Sequence, residues 1–379
     1  MACTKKKPPK PYKDFPLFPH ASGQWAKKIR GRLFYFGIWA DHESALKKYL
    51  ANRDYLQAGV DLPDDTDQTC LANLCNRFLA AKQNRVDSGE LRLATWQDYK
   101  RTCGLIIDAL GRNRVVDTIG PADFTRLRGV ITSRFGPVRT SREITQVRML
   151  FKWGHQQELT SMPRYGSEFV KPSRDVLRRH RQSSPPKMFE AAEIRAMLET
   201  ARIHTKAWIL LGINCAFIQR DVSDLTIRAV DLHKAVIDFP RGKTAIERRA
   251  PLWPETVDAL KESLANPWTP RQPEEVDHFF VTRQGNELVR DHRSETRSDA
   301  VHDALERVQK KLEIKRVKRS FGALRHTFRT IADETCDFPA ILRIMGHSDH
   351  SISDHYRERI SDDRLNRVVG HVREWLFQT

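Results

Sequence analysis

Three residues near the C-terminal end of the sequence have types and spacing that suit phosphate chemistry. Arg325, His347 and Tyr356 fall in the stretch FGALRHTFRTIADETCDFPAILRIMGHSDHSISDHYRERI, with Tyr356 nine residues after His347. An arginine presents a planar fork that matches phosphate oxygens. A histidine can add a hydrogen bond to the same group. A tyrosine supplies a nucleophilic oxygen. Its ordinary pKa near about 10 means that it needs a base or cationic surroundings to attack at neutral pH.

The local pattern predicts how these residues are carried. Leu324, Phe328 and Ile331 recur at i, i+4 and i+7, the stripe of a half-buried helix, and Arg325 adjoins it. Asp337 and Pro339 open a second helix that buries Ile341, Ile344 and Met345 and stops at Gly346. His347 then follows a helix end. Ser351 or Ser353 can cap a short third helix bearing Tyr356. One Arg, one His and one Tyr thus sit on three consecutive elements that can converge.

Composition points to the same kind of ligand. The chain has 379 residues, with 65 Lys+Arg against 48 Asp+Glu, so its formal net charge is 65 − 48 = +17. That favours a polyanionic partner. At 40% hydrophobic the sequence can build a core, so general disorder is excluded. No apolar run is long enough to span a membrane, and the charged, Pro-rich N-terminus lacks a secretory pattern. The six cysteines are scattered without a zinc-like spacing and read as reduced, mostly buried thiols. Walker, Rossmann, HExxH, EF-hand and GxSxG patterns do not occur, which removes the common ATPase, dehydrogenase, zinc-protease and serine-hydrolase readings. The expectation is a cytoplasmic, nucleoid-associated protein with no cofactor and no metal.

The predicted fold is mainly α and multidomain. Residues 1–60 form a basic arm and a small sheet followed by a helix from His42 to about Ala58. Residues 1–36 hold nine Lys/Arg against one acid, so they contribute +8 of the charge, and Lys27, Lys28 and Arg30 are candidate DNA contacts on a basic ribbon. Residues 68–170 show repeated helical stripes and are expected to make an all-α domain. Residues 171–187 are a basic linker, an exposed strap whose Arg178, Arg179 and Arg181 could track a phosphate backbone. Residues 188–379 are a mixed α+β domain with a β-hairpin turning at Arg241-Gly242-Lys243, its later part helical with breaks at Gly285, Gly322, Gly346 and Gly370.

The C-terminal stretch resembles the signature of the tyrosine recombinase, or phage integrase, family. That family shows L-R-H-T-F, then L-G-H about twenty residues later, then Tyr nine residues further on. Here Leu324-Arg325-His326-Thr327-Phe328, Met345-Gly346-His347 and Tyr356 match. The hairpin Lys243-Thr244 to Arg248-Arg249-Ala250-Pro251-Leu252 is similar to the family's K-T-x-x-x-R-x-V-P-L. The resemblance implies a site-specific recombinase, of the kind carried by mobile genetic elements, that integrates or recombines duplex DNA. Tyr356 would attack a phosphodiester to give a 3′-phosphotyrosine and a free 5′-hydroxyl. Arginines and His347 would stabilise the transition state, and Lys243 would protonate the leaving oxygen. The resemblance implies, too, that the all-α domain of residues 68–170 is a core-binding domain. It also implies a homo-tetramer on DNA, in which the amphipathic segment Val368–Phe377, able to pack on its own domain or on a neighbouring subunit, is exchanged between subunits.

Two positions depart from the pattern. The family's H-x-L-R-H places a His or Lys where this chain has Gly322, a gap that Arg319 could fill. Its T-G-x-R-x-x-E-x-x-x-L places the first catalytic arginine at Ile218, with Asp221 at the acidic position. Arg220 is the candidate replacement, reaching in from a loop. His326 reads as a supporting or packing residue, and His350 and His355 as surface residues. Two readings besides an active recombinase stay open: a catalytically weakened DNA-binding relative, and a type IB topoisomerase-like nicking and closing activity.

Overall fold

The computed structural model describes residues 7–59, 69–242, 244–272, 276–291, 297–316, 319–348 and 358–378. The chain divides into two compact units, Met1–Ser183 and Ser184–Thr379.

In the first unit, β1 (Phe18–Pro19), β2 (Gln24–Ile29) and β3 (Arg32–Ile38) form an antiparallel sheet. Arg30 and Gly31 make the two-residue turn between β2 and β3, at φ 51° and 84°. Positive φ at both positions is the hairpin geometry that matches strand twist. Trp25 and Trp39 lock the sheet by each donating its indole N–H to a backbone carbonyl, of Trp39 and Gln24. Helix α1 (His42–Ala58) starts on the Asp41 carboxylate and ends at Gly59 in the left-handed region. Tyr49 and Leu56 pack with Phe15, Trp25 and Phe36 under the sheet.

Four longer helices follow: α2 (Leu71–Asp87), α3 (Leu93–Leu110), α4 (Pro121–Arg134) and α5 (Pro137–Gln156). The apolar stripes meet in one core of Leu74, Phe78, Trp96, Ile106, Phe124 and Phe151. The basic strap is not extended. Residues Arg174–Gln182 form helix α6, begun by Ser173, whose hydroxyl accepts the Val176 amide. No residue of α6 is buried.

The second unit is built on α8 (Ile203–Asn214), apolar on all sides and enclosed. Around it pack α7 (Ala191–Thr200), α10 (Pro254–Ala265), α11 (Ala300–Lys311) and α12 (Gly322–Ala332). Gly212 lets α12 close in, since a Cβ there would lie 2.7 Å from Leu324 Cδ1. A short helix α9 (Gln219–Asp224) leads to the strands β4 (Val230–Asp231), β5 (Val236–Asp238) and β6 (Arg249–Pro251), an antiparallel sheet in that order. A second hairpin, β7 (Val289–Asp291) with β8 (Arg297–Asp299), occupies a stretch expected to be helical. Helix α13 spans Phe338–Met345 and α14 spans Asp362–Phe377. Gly322 begins a helix and Gly370 lies inside α14, so neither is a break.

Helix α14 packs on its own unit. Leu365, Val368, Val369, Val372 and Leu376 are buried. The Trp253 indole donates to Val369 O at 2.8 Å and Arg195 to Leu376 O at 2.6 Å, while Arg373 forks onto Glu255. Among the described residues no helix is long and apolar enough to cross a membrane, and no His/Cys/Asp/Glu cluster could hold a metal. Cys75, Cys103 and Cys215 are buried free thiols, whereas Cys336 is exposed.

Candidate phosphate-binding site

Arg325 is the centre of the site. It lies on the buried face of α12, only 8% exposed, and three acceptors orient its guanidinium. Nη1 donates to Ala216 O at 2.6 Å, and Nη2 donates to Met345 O at 2.8 Å and to His347 Nε2 at 2.7 Å. Ala216 presents its carbonyl from a left-handed conformation, φ 53°, at the position of the glycine in the family pattern. Gly346 ends α13 at φ 63°, and the His347 amide donates back to Leu342 O. That reversal turns the imidazole toward Arg325.

Two further arginines approach this pair. Arg248 is enclosed: its side chain has no solvent exposure, its guanidinium carbon sits 4.0 Å from the Phe217 ring centre, and Nε donates to Phe239 O. Its Nη1 is 3.2 Å from the Asp221 carboxylate. That carboxylate also accepts the Ile218 amide, so one acid both caps α9 and balances a buried cation. Arg241 stands in the loop between β5 and β6, and its side chain lies against Gly346.

The charges leave their mark on the acid–base groups. Burial first, then Arg241 and Arg248, pull Arg325 down to about 10, with Asp221 opposing. Burial, then Arg325, Arg241, Arg329 and Arg248, push His347 down to about 4. His347 is therefore neutral near pH 7. An arginine can only donate, so Nε2 is an acceptor here. The site holds a surplus of guanidinium charge suited to an oxyanion. A cavity of about 600 Å³ opens beside His347 and is also lined by Arg343, Glu247 and Arg249.

Arg220 is not brought to this group. Its guanidinium is taken up by Asp224 at 2.9 Å and by Val289 O at 2.9 Å, with Glu287 at 4.0 Å. Ile218 is half-buried as the cap residue of α9. Arg319 does not fill the gap at Gly322 either, being held by Glu193 at 2.6 Å over the Phe189 ring. His326 faces solvent. Lys243, His350, His355 and Tyr356 lie outside the described residues. In the first unit Lys28 and Arg30 are exposed, Arg30 also donating to Ala58 O, whereas Lys27 is half-buried and donates to Pro16 O. Arg178, Arg179 and Arg181 are exposed on α6. Sequence reading gave no role to Arg241 or Arg248. The one available signal was that Arg248 occupies the arginine of the family's hairpin pattern.

Comparison with known proteins bears on the fold. Residues 185–361 match the model of the phage integrase family. The Tn1549 transposon integrase, solved in complex with a circular intermediate DNA, superposes with a TM-score of 0.57 at 16% identity, over 76% of this chain and 96% of that one. Lambda integrase, solved as a tetramer bound to a Holliday junction, gives 0.53 at 12% identity over 93% and 98%. Its dimer on a core site gives 0.52 at 12% identity over 90% and 94%. A search of the curated proteins found no match to the sequence. The fold is that of the tyrosine recombinases, and the segment that carries Arg325 and His347 lies within the 185–361 match to the phage integrase family.

Proposed function

We propose that the chain is a site-specific recombinase that cuts and rejoins duplex DNA through Tyr356. The Tyr356 oxygen attacks the scissile phosphorus, the Tyr–O–P bond forms and the bond from phosphorus to the 5′ oxygen breaks. Lys243 gives the leaving oxygen its proton. The phenolic proton passes to solvent water, because the one lone pair of neutral His347, on Nε2, is occupied by Arg325. The reverse reaction with another strand's 5′-hydroxyl rejoins DNA without ATP, because the phosphodiester energy is retained in the intermediate. Arg325 supplies preorganised donors for the charge that builds on the phosphate oxygens. The observation that carries this reading is the Arg325 guanidinium fixed 2.7 Å from His347 inside a cluster of cations with one acid. Exposed basic residues on α6 and Lys28 would follow the DNA backbone, and the working assembly would be a tetramer, as in the lambda integrase complex.

The test is covalent attachment. Duplexes bound by the full-length chain are selected from a random-sequence pool and nicked to trap the intermediate. A protein–DNA adduct on a denaturing gel is expected, and Tyr356→Phe should abolish it while binding persists. An adduct that survives in Tyr356→Phe removes the assignment. The reading as a weakened relative is favoured by Ile218 and by the distant engagement of Arg220; it predicts specific binding with no adduct.

A further inference from the structure

We propose that Arg241 is a catalytic residue, supplying from the β5–β6 loop the second guanidinium on the scissile phosphate that helix α9 lacks at Ile218. The proposal rests on the strand-transfer reading above.

A phosphoryl-transfer transition state spreads charge over several oxygens, and a single fork covers two at most. Arg325 already commits three of its five N–H donors to Ala216, Met345 and His347, which leaves two for the phosphate. A second cation is needed; besides Arg325 the arginines that act on His347 are Arg241, Arg329 and Arg248, and Arg329 is paired with Asp333 at 2.8 Å. Arg220 is held by Asp224 and the Val289 carbonyl. Arg248 has no exposed side-chain surface and is stacked on Phe217. It cannot touch DNA without opening the core, so it is a positioning residue.

Arg241 is partly exposed and lies at the right place. A Cβ at Gly346 would come 2.9 Å from Arg241 Cβ and 3.4 Å from its Cδ, so the arginine stem crosses the Gly346 backbone. Gly346 is flanked by Met345 and His347, the two residues that accept from Arg325 Nη2. Both guanidinium stems therefore address one turn of chain. The loop carrying Arg241 is fixed at its base. The Arg241 amide donates to Ile246 O at 2.8 Å, and its carbonyl accepts from Thr244 and Ala245 at 3.0 and 2.8 Å. The arginine that a helix usually presents has moved to a loop, and glycine at 346 leaves room for its stem.

The experiment uses the full-length chain and the nicked duplex selected above. Arg241→Gln, which keeps the stem over Gly346, should slow adduct formation about 100-fold or more while binding stays within about threefold. Arg241→Lys should recover part of the rate, because an ammonium keeps the charge without the fork. Arg220→Ala should cleave like the parent. With a neutral methylphosphonate at the cleaved position there is less charge to stabilise, so the Arg241→Gln deficit should shrink by about tenfold or more. Parent-level cleavage by Arg241→Gln overturns the proposal. An undiminished deficit on methylphosphonate overturns it too, and gives Arg241 a structural role in the loop. A second readout needs no cleavage. Inorganic orthovanadate is titrated against the His347 ring resonances, and Arg241→Gln should weaken binding about tenfold. Equal affinity counts against Arg241. A parent that binds orthovanadate through Arg241 but forms no adduct refutes the strand-transfer reading and retains the oxyanion site.

Discussion

Arg325 donates to His347 across 2.7 Å, so the imidazole enters the site as an acceptor. Burial and four arginines hold it down to about 4. In the unfolded chain the ring titrates near its usual 6.5. As pH falls through that value the unfolded state takes up a proton that the native state refuses. The stabilising contribution is thus complete above about 6.5 and is lost as pH falls toward about 4. Urea unfolding of the parent and of His347→Gln at pH 8 and pH 5 should show the parent losing more stability on acidification. In the DNA complex a phosphate offsets the arginines, so the His347 resonance should titrate at a higher pH than in free protein. Titration of the free protein near 6.5 would contradict the cluster.

The engagement of Arg220 predicts a stability effect. Asp224 is raised mainly by burial, against the pull of Arg220. Arg220→Ala leaves that carboxylate without its partner and should cost about 1 kcal/mol in urea unfolding.

Arg248 should matter far more. Its removal leaves Asp221 as a buried, uncompensated carboxylate, and breaking such a pair costs about 3–5 kcal/mol. Arg248→Met should lie in that range, and adding Asp221→Asn should recover part of the loss. Strict additivity of the two substitutions would show that they do not interact.

Ala216 holds a left-handed backbone at φ 53°, which costs an L-residue about 1–2 kcal/mol. Ala216→Gly should raise the thermal midpoint, after allowance for the greater flexibility of unfolded glycine. Because the Ala216 carbonyl seats Arg325, cleavage should be preserved or improved.

The first unit offers an electrostatic test. Residues 1–36 carry a net +8, from nine Lys/Arg and one acid. Deleting the first 13 residues removes five of those lysines and leaves the sheet. The slope of log K against log salt should fall by roughly 0.9 for each phosphate that the shortened chain no longer neutralises. An unchanged slope would show that this arm does not touch DNA.

The sequence made Arg325 and His347 legible because both are tied to local signals. Arg325 adjoins an apolar stripe on α12, and His347 follows the glycine that stops α13. The small sheet and the following helix, expected from His42 to about Ala58, were legible as well. What escaped depends on contacts distant in the chain. Arg220 is captured by the carbonyl of Val289, sixty-nine residues away, on a hairpin that local periodicity did not reveal. Arg241 lies against Gly346 only because the β5–β6 loop reaches α13. The strap became a helix once Ser173 supplied a cap, although a basic segment with no apolar face gives no stripe to read.

The docking of α14 on its own unit bears on mass action. A chain that borrows a helix from its neighbour loses stability on dilution, whereas one that folds its own helix home does not. Here the apolar face of α14 is already sealed within one chain by Leu365, Val372 and Leu376. The unfolding midpoint should therefore be the same at nanomolar and micromolar protein, and four chains on DNA would have to recognise one another through surfaces that are already complete in the monomer.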